Sequence, residues 1–105
     1  MNTQQVEAMA QFVAEYVKTY PDCKIYNVVR DAMALQKIAV SLHKRYESAC
    51  SYEWAGTEKY EKRTETLENK ASAIAAGLGV TIGFQHDLRG WPMILKTGPY
   101  ETRLG

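Results

Sequence analysis

A chain of 105 residues with 13 Lys and Arg against 12 Asp and Glu carries a formal charge of +1; that is a length for one domain with a modest core, and a balance that argues against a dedicated nucleic-acid binder. No apolar run is long enough to span a bilayer, and Met1-Asn2-Thr3-Gln4-Gln5 lacks the charged-then-apolar pattern of a signal peptide, so the expected location is the cytoplasm. Cys23 and Cys50 form no C-x-x-C pair and stand at no ligand spacing with His43 or His86, which predicts free thiols and no zinc site.

The first helix is expected over 3–19, with Thr3 as N-cap and Pro21 disfavouring helical geometry at Tyr20. Val6, Met9, Ala10, Val13, Val17 and Tyr20 recur at helical spacing, and Phe12 and Tyr16 form a second apolar stripe. Tyr20 to Tyr26 reads as a connector. The second helix is expected over 27–50, capped by Asn27 or Asp22. Its residues Val28, Ala32, Leu35, Ala39, Leu42, Tyr46 and Ala49 alternate steps of four and three, a seam of the coiled-coil type. Val29, Met33 and Ile38 widen that apolar face, which predicts contact with more than one neighbour. His43, Lys44 and Arg45 fall in the last third, where positive charge complements the helix dipole.

Ser51 to Gly56 is a short connector, and Thr57 is expected to cap a third helix over 57–77. Tyr60, Thr64, Leu67, Ala71, Ile74 and Leu78 repeat the four-three seam, with Glu, Lys, Arg and Asn on the other faces and Gly77 and Gly79 ending the helix. Two such seams across a short connector predict an antiparallel helical hairpin with the first helix lying across it. Over 80–96, Val80, Ile82 and Phe84 and then Trp91, Met93 and Leu95 alternate with smaller or polar residues. That is a β-hairpin closed by a turn at Asp87 and Gly90, leaving 97–105 as a tail. The expected class is mainly α, of the α+β type: three helices and a C-terminal two-stranded β-hairpin in a single domain. Such a hairpin does not stand alone in water. It must lie on the helices, pair with a second copy or accept a partner's strand, and together with the heptad seams this predicts a homodimer.

The run from Gly83 through Phe84-Gln85-His86-Asp87-Leu88-Arg89-Gly90-Trp91-Pro92-Met93-Ile94 to Leu95 resembles the D-P-R-G hairpin of a group of small bacteriophage and prophage proteins. The pieces around it are similar too: Cys50 near a helix end, a Glu/Lys/Arg-rich helix from Thr57 to Leu78, the pair Leu78-Gly79, and a short Gly-containing tail from Gly98 to Gly105. The resemblance covers roughly the second half to two-thirds of the chain. Leu88 stands where the group usually has Pro, which makes the turn softer without forbidding it. What it implies is a phage-encoded accessory protein working in the host cell; it carries no catalytic activity with it.

No catalytic signature, cofactor motif or metal-ligand spacing is present. Asp87, Arg89 and His86 at the turn tip can form a small polar site in which Arg89 reaches a phosphate or carboxylate. The plainer account is that Asp87 ties the turn and Arg89 pairs with a helix glutamate. Glu61, Glu65 and Glu68 can share a helix face and could supply paired carboxylates for a metal, though a solvated charged face is the commoner cause of such a run. Lys44 and Arg45 with neighbours such as Tyr52 and Tyr60 interleave basic and aromatic groups, the pattern of a nucleotide or nucleic-acid site. Trp54, in a polar connector, is either an exposed recognition residue or a lid on the open end of the helical hairpin. Three functions follow: a non-catalytic protein that binds and modulates a host or defence-system component, a nucleotide or nucleic-acid binding module, and a small hydrolase or nuclease using His86 with Asp87.

Overall fold

The computed structural model describes residues 2–49, 58–85 and 91–105, with side chains for all of these except 48, 49 and 58–60. The elements are α1 (Thr3–Thr19), α2 (Ile25–Ala49), α3 (Glu58–Leu78), β1 (Thr81–Phe84), β2 (Met93–Thr97) and β3 (Tyr100–Leu104). The helices and the hairpin form as expected.

The α2 seam lies inside along its described length: Val28, Ala32, Leu35, Ala39, Leu42 and Tyr46 are all buried. Against it α3 sets Thr64, Ala71, Ala75 and Leu78, with Leu67 and Ile74 half-buried. Two cross-links tie the C-terminal end of α2 to the N-terminal half of α3: Arg45 Nε donates to Thr64 Oγ1 at 3.0 Å, and Tyr46 Oη donates to Glu68 Oε1 at 2.6 Å. A helix of 25 residues is about 37 Å long, and α2 accounts for most of the long dimension of a molecule measuring 47 × 25 × 23 Å. Of the residues expected to widen its apolar face, Ile38 is buried and Val29 half-buried, but Met33 faces outward.

In α1 the two stripes trade ranks. Phe12 and Tyr16 are the buried pair, Met9, Val13 and Val17 are half-buried, and Val6, Ala10 and Tyr20 are exposed. Both stripes are helical; the aromatic one removes more apolar surface from water, so the helix turns that way. The Phe12 and Tyr16 rings lie 6.0 Å apart, and those of Tyr16 and Tyr20 4.8 Å apart. The N-cap is Asn2 rather than Thr3: its side chain accepts from Gln5 N–H at 2.9 Å while Gln5 Oε1 accepts from Asn2 N–H at 3.0 Å, a reciprocal capping box. A turn in which Cys23 N–H reaches Tyr20 O at 3.1 Å leads into α2. Because α2 begins at Ile25, Asn27 lies within its first turn and Asp22 lies in the preceding turn, so neither occupies the N-cap.

α3 ends in a Schellman motif. Gly79, at φ 76°, donates to Ala76 O at 3.1 Å, and Val80 donates to Ala75 O at 3.0 Å. Gly77 lies inside the helix. Tyr16 Oη donates to Leu78 O at 2.6 Å, so a side chain of α1 satisfies a carbonyl at the end of α3.

The sheet has order β1-β2-β3, antiparallel throughout. The segment expected as a tail is its third strand. Thr97 pairs with Tyr100 across Gly98 and Pro99; Gly98 at φ 59° meets the positive-φ requirement at the first central position of a II′ turn, and Pro99 fits the second. Ile82, Phe84, Met93, Leu95, Thr97, Thr102 and Leu104 share the inner face, which lies on α1 and α3 with α2 touching β3. The hairpin is therefore covered by its own chain. At the end of β3, Gly105 lies so close to the Pro92 ring that a Cβ would come within 2.3 Å of Pro92 Cδ, and its backbone oxygen accepts from Gln5 Nε2 at 3.1 Å.

Burial, with smaller contributions from Cys23, Tyr20 and Asp31, pushes the Tyr16 phenol above its ordinary pKa. Tyr16→Phe leaves the Leu78 carbonyl without its donor and is expected to lower stability by about 1–3 kcal/mol, measured by chemical denaturation. With the folded pKa raised, the unfolded chain gives up this proton first, so the wild type loses stability as pH rises above about 10 and the variant should lose less over that range. Gln36 is fully buried in α2 and its side-chain amide has no hydrogen-bond partner among the described residues. Gln36→Met keeps the shape and removes the polar burden, so its unfolding midpoint should rise, by roughly 1–2 kcal/mol of stability; a lower midpoint would contradict this reading of Gln36.

Candidate functional site

The outward face of α2 is the least finished surface among the described residues. Ile25 is 57% exposed, Tyr26 78% and Met33 40%, while Val29 and Val40 are half-buried. Tyr26, Met33 and Val40 stand seven residues apart, and so do Arg30, Lys37 and Lys44, four residues further on. At 3.6 residues per turn these are two adjacent rows along one side of the helix, one apolar and one basic. The apolar row gives way to Glu47 at its C-terminal end. Between the rows runs an open groove of about 360 Å³, lined by Tyr26, Val29, Arg30, Met33, Ala34 and Lys37.

A surface helix needs one apolar stripe to join its core. α2 spends Val28, Ala32, Leu35, Ala39 and Leu42 on that and carries a second stripe besides. Arg30 pairs with Asp31 at 3.5 Å, yet its side chain stays 62% exposed, and Lys37 and Lys44 are exposed as well. The face thus offers a flexible thioether, a phenol ring and a line of cations together, chemistry found at recognition surfaces.

The residues singled out from the sequence distribute as follows. Lys44 lies on this face. Arg45, next to it, reaches Thr64 across the α2–α3 junction. Glu68 is engaged by Tyr46, away from the exposed Glu61 and Glu65, so the three carboxylates do not converge. Tyr60 is part of α3, without a described side chain. Tyr52, Trp54, His86, Asp87 and Arg89 lie outside the described residues, and with them the turn-tip site and the connector tryptophan; the caps and thiols assigned to Thr57 and Cys50 do too. Cys23 is a half-buried free thiol. Among the described residues no three His, Cys, Asp or Glu side chains gather as metal ligands, and no helix is long and apolar enough to cross a membrane.

In the sequence Tyr26 reads as a connector residue and Met33 as part of the widened apolar face of the second helix, so neither stands out as a site. The signal that finds them is the double seven-residue spacing on a face that the main seam already leaves outside. A second concavity, about 500 Å³, lies between Gln4, Glu7 and Gln11 of α1 and the Glu101–Arg103 stretch of β3, beside Trp91. Arg103 and Glu101 pair within it at 3.4 Å. Its mixed charges favour no single ligand class.

Compared with family models, with curated proteins and with solved structures, the chain matches none.

Neighbouring cations of α2 should therefore separate in their effects. Arg45→Ala is expected to lower stability by roughly 1 kcal/mol, as a part-buried charged hydrogen bond is lost. Lys44→Ala should leave the denaturation midpoint within about 0.5 kcal/mol of wild type.

Proposed function

We propose that this chain is a non-catalytic accessory protein that acts by binding another protein, and that the outward face of α2 receives an acidic amphipathic helix of that partner. The observation that carries the reading is the pair of rows, Tyr26–Met33–Val40 and Arg30–Lys37–Lys44, on a helix whose opposite face already forms the core. A helix laid along the groove meets apolar anchors at heptad spacing and cations at the same spacing beside them. Its own apolar positions would bury Tyr26 and Met33, and its Asp and Glu would pair with Lys37 and Lys44. The resemblance of the Gly83–Leu95 run to the phage hairpin supplies the biological frame: a phage-encoded protein that modulates or inhibits a host or defence-system component in the cytoplasm of the host cell.

Basic groups beside an exposed tyrosine also suit a nucleotide or single-stranded nucleic acid, and the same variants distinguish the two. Met33→Asp and the double change Lys37→Glu with Lys44→Glu are on solvent-facing positions and should leave the circular dichroism spectrum unchanged. Against a protein captured from infected host cells by the wild type, each is expected to weaken binding at least tenfold, Met33→Asp through the apolar row and the double change through the basic row. Undiminished capture by both variants would defeat the assignment to α2. Binding of mixed oligonucleotides that fades steeply with salt and is lost only in the lysine variant would instead favour the nucleic-acid reading.

A further inference from the structure

We propose that β1 pairs antiparallel with β1 of a second copy about a two-fold axis at Gly83, joining the two sheets into one. The inference is independent of the α2 docking face. It starts from the phase of the ladder. Gly83 stands opposite Ile94 and Thr81 opposite Lys96, and Gln85 N–H reaches Pro92 O at 2.9 Å. Antiparallel pairs alternate between bonded and non-bonded positions, so the odd residues 81, 83 and 85 face β2. The amide and carbonyl groups of Ile82 and Phe84 then point away from it, along the free edge.

Among the described residues that edge lacks the usual protections. Natural edge strands are blunted by lysine, proline, bulges or a covering element. The opposite edge, β3, carries Glu101 and Arg103 and has α1 against it. β1 reads Thr-Ile-Gly-Phe, with no charge and no proline. From Ala71 to Gln85 the chain has no charged side chain at all. The last turns of α3, which pack on β1, expose Ala73, Ala76 and Gly77.

A charged partner would find nothing to pair with here, whereas a second copy of the same uncharged strand meets no repulsion. The register follows from the two bonding positions. Ile82 of one copy opposes Phe84 of the other, twice, and each pair exchanges both backbone hydrogen bonds. Gly83 then opposes Gly83 at the axis, in the non-bonded position where side chains come closest. Among the described residues a Cβ at Gly83 would meet nothing within 4 Å; in the proposed pairing its small size matters when a second copy arrives. The Ile82 and Phe84 side chains, half-buried on the inner face, gain cross-strand partners of the favourable aliphatic–aromatic kind. A strand this short supplies few bonds, so the small residues of α3 are needed to bring the buried area toward the roughly 1,000 Å² of a specific interface.

The test uses the whole chain. Sedimentation from low micromolar to near-millimolar concentration should show wild type moving from monomer to dimer. Gly83→Lys and Gly83→Glu each place like charges at the axis and should sediment as folded monomers, with dissociation constants raised at least tenfold. An equimolar mixture of the two should recover the dimer, because opposite charges then face each other. On the wild type alone, the amides of Ile82 and Phe84 should exchange with solvent more slowly as concentration rises. A wild type that stays monomeric, variants that dimerise like wild type, a mixture that stays monomeric, or exchange at Ile82 and Phe84 that ignores concentration would each overturn the proposal.

Discussion

The hydrogen bond from the Tyr16 hydroxyl to the Leu78 carbonyl joins the elements that everything else depends on. The end of a helix leaves carbonyls with no partner in the helix. At the end of α3 the Schellman turn serves Ala75 and Ala76, and Tyr16 serves Leu78 from another helix. Gly79 then redirects the chain into β1. Where α3 stops, where α1 packs and where the sheet starts are thus one decision. Tyr20, its ring tilted against that of Tyr16, brings its hydroxyl to within 3.8 Å of the Cβ position of Gly79 and closes the junction from outside.

α2 is the second organising element, and it works in two directions. Its seam of small and medium residues lets α1 and α3 approach from either side and leaves room for β3. Its outer face is not needed for any of that. A tyrosine and a methionine held in water make no contribution to the described core, and their repetition in register with three cations is the reason to look there for recognition.

Much of the architecture was legible because it rests on periodicity. The four-three seam of α2, the antiparallel hairpin with α3 and the alternation of β1 and β2 all follow from where apolar residues fall. Errors arose where two patterns had the same period and only size decided between them, as with the Phe12–Tyr16 stripe of α1. Caps shifted because several polar residues near a helix start can accept an amide, and Asn2 won through its reciprocal partner Gln5, three residues on. β3 was missed because Tyr-Glu-Thr-Arg-Leu alternates too weakly to stand out, although Gly98-Pro99 before it is turn chemistry. The neighbouring candidates Lys44 and Arg45 part ways, Lys44 exposed and Arg45 bonded to Thr64 of α3. Adjacent residues on a helix point about 100° apart, so one looked to solvent and the other to α3.

Gln5 does two jobs with one amide, and the second has a consequence for how the chain assembles. Its oxygen caps α1 while its nitrogen holds the backbone of Gly105, a contact spanning 100 positions of sequence. Ordering so long a loop carries a large entropic cost before any contact repays it. The α2–α3 rods and the sequence-adjacent strand pairs β1–β2 and β2–β3 close over short stretches of chain and can form early. The clasp between the first turn of α1 and the last strand belongs to the final stage of assembly. It is also the first to give way when the molecule loosens, so the first turn of α1 and the end of β3 should fray together while Phe12 and Tyr16 hold the rest of α1 in place.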